Sequence, residues 1–356
     1  LVEAGAASQL QLFLRATLAL VIGVASGLVA AATGLPLPWM LGPMIGTTVA
    51  AIAGAPLTSP MRLRTIFLPI LGVMLGSGID ASTLSAIGQW TTTLLLLLPF
   101  GIVTSLACYL FYRRVGRYDP VTAFFSSMLG GINESILQGG NAGGDEKRIA
   151  MAHATRLLAV VLLGVLFFGL VLGVPTGATP DRQLQHLTLQ DWLILGSCAL
   201  IGAPLGKLIR LPAALIIGPM LLSAAAHVSG LVVVAPPDAL VLAAQVVLGT
   251  VIGSRFIGSR IRQVGTDMLL GLGASLIMLA ITVLFAFIVQ SVTGTRMTHA
   301  FLAYSPGGLT EMSLLALAMG QEVAYVSVMH LARMSAVVLL SPLALPWLRR
   351  KQQAEA

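Results

Sequence analysis

Gly130-Gly131-Ile132-Asn133-Glu134, followed by Gly143 and by His153-Ala154-Thr155-Arg156, returns later in the chain as Gly307-Gly308-Leu309-Thr310-Glu311, Gly320 and His330-Leu331-Ala332-Arg333. Each pair of equivalent residues lies 177 positions apart, with no insertion or deletion between them. Working outward, the tail Ala159-Val-Val-Leu-Leu163 matches Ala336-Val-Val-Leu-Leu340 at the same offset. Upstream, Leu35-Pro36 with Gly42-Pro43-Met44 returns as Leu211-Pro212 with Gly218-Pro219-Met220, and Gly72-x-x-x-Gly76-Ser77 as Gly249-x-x-x-Gly253-Ser254. Long internal repeats in an apolar chain mark transporter architectures. This repeat also carries charged residues inside apolar stretches, where charge is costly and usually functional.

Composition points the same way. The chain has 356 residues, 57% of them hydrophobic and 9% charged. A soluble domain averages roughly 25% charged residues, so a water-facing surface cannot be built here. The fold class expected is an all-α polytopic membrane protein. The net charge of +7 then reads as the Lys and Arg excess of cytoplasmic loops. No basic patch is interleaved with aromatics, so direct nucleic-acid binding is not expected. Cys108 and Cys198 lie far apart in apolar runs and form no metal-binding spacing. The two repeated histidines each have an arginine as near neighbour, which disfavours a metal. Walker A, nucleophile-elbow and HExxH patterns are absent from the sequence, so neither catalytic residues nor a cofactor nor an enzyme activity is expected. The first apolar segment lacks a basic start and a small-residue cleavage pattern, and reads as a span rather than a signal peptide.

Apolar runs predict five spans per half, near 10–32, 37–54, 63–79, 89–112 and 147–172, then 191–209, 213–230, 238–254, 267–290 and 323–347. Between the fourth and fifth of each half lie 120–145 and 298–320, apolar at first and then rich in Gly and small polar residues. Broken backbone at membrane depth must be buried in protein or line a cavity, so each reads as a re-entrant hairpin or broken helix. The organisation expected is a first membrane repeat over 1–172, a periplasmic linker over 173–190, a second repeat over 191–349 and a cytoplasmic tail over 350–356. Arg15, Arg62, Arg64, Arg113, Arg114, Arg117, Lys147 and Arg148 mark cytoplasmic ends in the first half. Lys207, Arg210, Arg255, Arg260, Arg262 and the final Arg349-Arg350-Lys351 do so in the second. Arg182 and Arg296 fall outside. Charge thus falls on connections two and four of one half and one and three of the other, the mark of inverted repeats with an odd number of crossings. Trp39, Trp90, Trp192 and Trp347 fall at helix ends, as interface anchors do.

Arg156 lies nine residues past Lys147, roughly 14 Å deep at ~1.5 Å per residue, near the bilayer middle. Arg333 is its counterpart. Two roles are open and compatible. The arginines either pair with Glu134 and Glu311, locking hairpin to helix, or hold an anionic substrate at the midplane. Gly130, Gly131, Gly307 and Gly308 let backbone approach a ligand closely, and the helix starts beside them present free N–H groups to an anion. Asn133, Thr310, Glu134 and Glu311 supply polar contacts or a proton or cation site. His153 and His330 lie one turn before the arginines on the same face, as candidate proton relays or as packed, hydrogen-bonded residues. The Gly-Pro-Met pairs and the Gly72/Gly76 and Gly249/Gly253 pairs read as packing motifs. All of these substrate-site residues are expected around one cavity.

The Leu-Pro…Gly-Pro-Met elements, the run Pro306-Gly307-Gly308-Leu-Thr310-Glu311-Met312 and His330-Leu-Ala-Arg333 resemble the AbrB family of bacterial inner-membrane proteins. The resemblance covers nearly the whole chain. The first copy departs from it, with Met128-Leu129 in place of Ser-Pro and Asn133 in place of Thr. Family members carry labels of ammonia monooxygenase or transcriptional regulator. The resemblance therefore implies an inner-membrane location and a link to gene expression, while no copper ligand set supports oxygenase chemistry. The small soluble DNA-binding protein of the same name is not resembled. The function expected is secondary transport of a small organic anion coupled to protons or Na+, with both termini cytoplasmic. The partners are the anionic solute, the coupling ion and the bilayer, and a homodimer is compatible with this reading. The alternative is a membrane protein that regulates gene expression, as a sensor or through transport.

Overall fold

The computed structural model describes residues 2–35, 37–79, 87–168, 187–211, 213–258 and 261–355, and these residues form helices and connections without a strand. Pro36, Arg182, Pro212, Arg260 and most of the 173–190 linker lie outside them. The first repeat supplies α1 (Val2–Ala32), α2 (Pro38–Ile52), α3 (Met61–Ser77), α4 (Thr91–Arg114), α5 (Pro120–Ser127), α6 (Ile132–Asn141) and α7 (Glu146–Leu166). The second supplies α8 (Leu189–Leu208), α9 (Ala214–Val228), α10 (Asp238–Gly253), α11 (Ile261–Thr293), α12 (Met297–Tyr304), α13 (Leu309–Ala318) and α14 (Val323–Glu355). The sequence repeat is therefore a structural one. Both short helices of the interrupted segment begin and end at equivalent residues in the two copies.

Length sorts the helices. Seven are long and apolar enough to cross a membrane, within α1, α4, α7, α8, α10, α11 and α14. The chain is a polytopic all-α membrane protein. Of the ten crossings read from the sequence, the other three fall on short helices: α2 and α9 have 15 residues and α3 has 17. At ~1.5 Å per residue, 15 residues reach about 22 Å against a hydrocarbon core of about 30 Å. The same structural device starts α2 and α9: Leu37 and Ala213 stand in the left-handed region, at φ 48° and 46°. A non-glycine residue rarely adopts this conformation, and it sets a sharp entry at the same place in each repeat.

The chain forms two compact units, and each draws on both repeats. Unit 1 comprises residues 1–84, 165–261 and 317–320; unit 2 comprises 85–164, 262–316 and 321–356. Unit 1 thus holds α1–α3 and α8–α10. Unit 2 holds α4–α7 and α11–α14, less short stretches at the ends of α7, α11 and α13.

In unit 1 the repeats exchange partners. The α3 helix packs on α9, and α10 packs on α2. A Cβ on Gly72 would run into the carbonyl of Ile216, and one on Gly249 into the carbonyl of Met40, the residue equivalent to Ile216. Gly76 and Gly253 meet Met220 and Met44 in the same way, one turn further. Lipid tails are as apolar as leucine, so helices in a membrane associate through close packing, which small residues permit. The glycine pairs read as packing motifs have this role. Across the same contact, the Ser223 hydroxyl donates to the Val73 carbonyl at 2.7 Å. Gly76→Val and Gly253→Val are expected to lower the unfolding temperature of the purified protein by forcing these helices apart, each costing about 1–3 kcal/mol or more. Gly101→Val, where an added Cβ meets nothing within 4 Å, is the control.

In unit 2, α14 packs against α4, α5 and α12. Aromatic side chains fasten α12 to α4. Tyr304 donates its hydroxyl to the Thr93 carbonyl at 2.6 Å and stands edge-on to Phe100, ring centroids 5.0 Å apart. At the other end of α4, Tyr118 stacks on Tyr112 and donates to Asp267 at 2.9 Å. Burial, with the Asp267 carboxylate next, pushes the Tyr118 phenol well above its usual range, so it stays a donor. Asp119 caps α5 by accepting from the Thr122 N–H at 2.9 Å, and Pro120 occupies the first helical position, where its missing N–H costs nothing.

Candidate functional site

The interrupted segments converge on the two arginines, within unit 2 apart from residues 317–320. Residues 128–131 separate α5 from α6, and the equivalent 305–308 separate α12 from α13. Each interruption leaves the last carbonyls of one short helix and the first N–H groups of the next without helical partners. Inside a bilayer no water is at hand to satisfy them.

The guanidinium groups serve the carbonyls. Arg156, on α7, donates from Nη1 to the Met128 carbonyl at 2.5 Å and from Nη2 to that of Gly130 at 3.4 Å. Arg333, on α14, donates from Nη1 to Ser305 at 2.6 Å and Tyr304 at 3.2 Å, and from Nη2 to Gly307 at 2.9 Å. Met128 is equivalent to Ser305 and Gly130 to Gly307, so the same fork spans the same interruption twice. The arginines are 4% and 3% exposed. Each lies ten residues into its helix, so about 15 Å from its start. A cation at the C-terminal end of α5 or α12 also complements the negative end of that helix dipole.

This corrects the lock anticipated from sequence. Neither Arg156 with Glu134 nor Arg333 with Glu311 forms an ion pair; backbone carbonyls take the place of the carboxylates. The glutamates go to the opposite ends. Glu134 and Glu311 each stand third in α6 and α13, and a Cβ on Gly131 or Gly308 would collide with the Oε2 atom of the respective carboxylate. A carboxylate at this position complements the positive start of the helix. A Cβ at either glycine would oblige the carboxylate to shift. Each interruption therefore carries a cation on its negative end and an anion on its positive start. Glu134 is exposed, Glu311 half-buried and Thr310 buried; the Asn133 side chain lies outside the described residues.

His153 bonds through Nε2 to the Phe125 carbonyl at 2.8 Å, tying α7 to α5. His330 bonds through Nδ1 to the Val326 carbonyl of its own helix at 3.0 Å. The glycines at the interruptions allow close approach: a Cβ on Gly130 would lie 2.7 Å from Cγ1 of Val337 on α14, and one on Gly307 2.6 Å from Cε of Met312.

A cavity of about 580 Å³ opens between α4 and α14, with Phe124, Met128 and Arg333 among its lining residues. Of the residues expected around one cavity, it gathers Arg333 alone; Arg156, Glu134, Glu311 and the four glycines are not in its lining. Its other walls were not singled out by sequence reasoning. Met128 marked only a departure from the repeat, and Trp347 only an interface anchor. The mismatch between Met128 and Ser305 was the available signal, since it makes one interruption apolar where the other is polar.

Relatives extend over most of the chain. It is 26% identical over 347 residues to "Uncharacterized protein YhjN" of Bacillus subtilis (strain 168), covering 90% of each chain. It is 27% identical over 322 residues to "Putative regulator AbrB" of Escherichia coli (strain K12), covering 87% of this chain and 90% of that one. No solved structure matches it. The family model described as "Transition state regulatory protein AbrB" matches residues 39–349, from α2 to the end of the second repeat's apolar stretch, and the chain belongs to the AbrB family.

Proposed function

We propose that the protein is a secondary transporter of a small organic anion, coupled to protons or Na+, with the two helix interruptions as its transport site. One observation carries the reading: a fully buried guanidinium stands at each of two symmetric backbone breaks, near the middle of a membrane helix, with donors left over. A guanidinium has five N–H donors. Arg333 gives three hydrogen bonds and Arg156 two, and the Nε atom of each has no partner among the described residues. Each arginine at this depth costs about 2.5–3.5 kcal/mol on insertion scales, and each broken helix forfeits backbone hydrogen bonds. Continuous apolar helices would hold the fold at lower cost. Broken helices in membranes are tolerated where they bind something, as in transporters whose half-helix ends face substrate and ion. Glu134 and Glu311, placed over the helix starts, are the candidate proton or cation sites. The inner membrane of a bacterium, with both termini cytoplasmic, is the location that the basic residues favour.

The name of the Escherichia coli relative favours a second reading, a part in regulation. A transporter meets it indirectly, by setting the level of a solute that a cytoplasmic regulator senses. Reconstituted vesicles distinguish the two. Transport predicts saturable uptake of small carboxylates under a proton or Na+ gradient, abolished when the gradient collapses. Absence of flux for a broad panel of organic anions, in vesicles holding correctly folded protein, would favour a sensor.

A further inference from the structure

His227, in unit 1, breaks the repeat. Gly218-Pro219-Met220 aligns with Gly42-Pro43-Met44 at an offset of 176, which sets His227 against Ala51 and Ser223 against Thr47. The first copy builds the same joint with a buried alanine, so the imidazole is not needed to form it. His227 lies in the last turn of α9 and is half-buried, within reach of solvent protons. Its Nδ1 stands 2.7 Å from the Ser223 carbonyl, one turn back, and its Nε2 3.1 Å from the Val234 carbonyl, in the connection that leads to α10. Carbonyls only accept. A neutral imidazole donates from one nitrogen and an imidazolium from both. The Ser223 hydroxyl, 3.4 Å from Nδ1, does not alter the count, because it donates to the Val73 carbonyl of α3 at 2.7 Å. A neutral ring with its proton on Nε2 would set two lone pairs 2.7 Å apart at Ser223. The neutral ring therefore keeps its proton on Nδ1 and leaves the Val234 carbonyl without a donor. Only the charged ring answers both carbonyls, and a cation there also complements the C-terminal end of α9.

We propose that His227 is a pH-dependent clasp: its imidazolium fastens the 229–237 connection to α9, and loss of the proton releases it. A bond made only by the charged ring is present at acidic pH and is lost as pH rises through the range in which imidazoles titrate, about 5–8. The connection is anchored by Val232, 2% exposed, which clusters with Val73 of α3, Leu195 and Cys198 of α8 and Ala226 of α9, and Val234 packs on the same cluster. Freeing Val234 loosens the connection where these three helices meet. The charged and titratable groups on the surrounding elements are few. Asp191, in the first turn of α8, accepts from the Thr188 N–H and hydroxyl. Asp238 opens α10, four residues past Val234. Cys198 lies in the cluster itself, Lys207 at the other end of α8, and Arg62 and Arg64 at the other end of α3. Asp80, beyond α3, lies outside the described residues. The hydrogen bonds of the ring go to Ser223 and Val234. On the topology that the basic residues favour, the connection faces the outside of the cell, and the clasp answers external pH. The clasp itself depends neither on that orientation nor on the transport reading.

The test is hydrogen–deuterium exchange of the full chain in phosphatidylcholine nanodiscs between about pH 5.5 and 8, each rate divided by the intrinsic chemical rate at that pH. The Leu231 amide, which donates to the Ala226 carbonyl at 3.0 Å, reports on the connection. Protection of the peptide covering 229–235 is expected to fall about tenfold or more across this range, the effect of losing one charged hydrogen bond. His227→Gln is expected to remove the slope and to hold protection at the level that the wild type shows at the alkaline end. Ser223→Ala and His299→Gln are the controls that should keep the slope, since neither side chain belongs to the clasp. A flat wild-type profile, or the wild-type slope in His227→Gln, would overturn the proposal. Should His227→Gln fail to fold, His227→Arg takes its place: a fixed charge with several donors should give high protection at both ends of the range, and a wild-type slope there overturns the proposal equally. Solute uptake by reconstituted vesicles decides the transport reading separately, so the failure of one leaves the other standing.

Discussion

Arg333→Ala should be the most destabilising single change among the residues that hold the helix interruptions, lowering stability by about 3–5 kcal/mol. The variant removes the donors of Tyr304, Ser305 and Gly307 at once and leaves their carbonyls buried with no water to replace them. A buried hydrogen bond to a charged group is worth about 1.5–3 kcal/mol, and relaxation keeps the total below the sum of three. Arg156→Ala should cost less, because one of its two bonds is long, at 3.4 Å. Lysine in place of Arg333 keeps the charge beside the helix end but offers a point donor instead of a planar fork, so it should fall between wild type and alanine. Thermal unfolding of the detergent-solubilised protein reads the order directly. If Arg333→Ala melts with the wild type, the carbonyls have other partners and the arginine is there for substrate alone.

The second large effect is on coupling. Glu311→Gln should leave folding nearly unchanged, since complementing a helix start contributes only about 0.3–1 kcal/mol. In the transport reading it should nevertheless abolish accumulation against a gradient, while exchange of labelled for unlabelled solute persists. Glutamine keeps the shape over Gly308 but can neither take up a proton nor pair with Na+. Glu134→Gln should act alike and more mildly, because Glu134 is exposed. Gradient-driven uptake at wild-type rates in the double variant would remove both carboxylates from the coupling mechanism.

Much of this architecture was legible in the sequence because a repeat with no insertion announces itself. The Gly-Gly-x-x-Glu runs also marked the interruptions, since glycines followed by a carboxylate in an apolar chain suit a helix start better than a helix interior. The partner of each arginine was not legible. Charge complementarity nominates Glu134 and Glu311, the carboxylates of the repeated Gly-Gly-x-x-Glu runs. The carbonyls that win are identical in every residue and become available only because α5 and α12 stop where they do. Helix length was partly hidden as well. Hydropathy runs smoothly through 37–54 and 213–230 and does not show that Leu37 and Ala213, each next to a proline, turn left-handed to set the starts of α2 and α9. The cavity was invisible for a third reason: its walls come from α4, α5 and α14, which are far apart in sequence and individually unremarkable spans.

The exchange of partners in unit 1 bears on how the chain is made. When the ribosome has finished the first repeat, α2 and α3 are in the membrane, but the surfaces that Gly72, Gly76, Met40 and Met44 present have no match yet. Their mates emerge later, α9 some 150 residues after α3 and α10 some 200 after α2. Insertion and folding are thus separated in time, and the young half must wait in lipid with its narrow glycine faces open. A gene cut within the 173–190 linker would give two products that are each orphaned alone and complete one another when synthesised in the same cell. The repeat, which looks in the sequence like a protein written twice, is in three dimensions a protein that exists only once both copies are present.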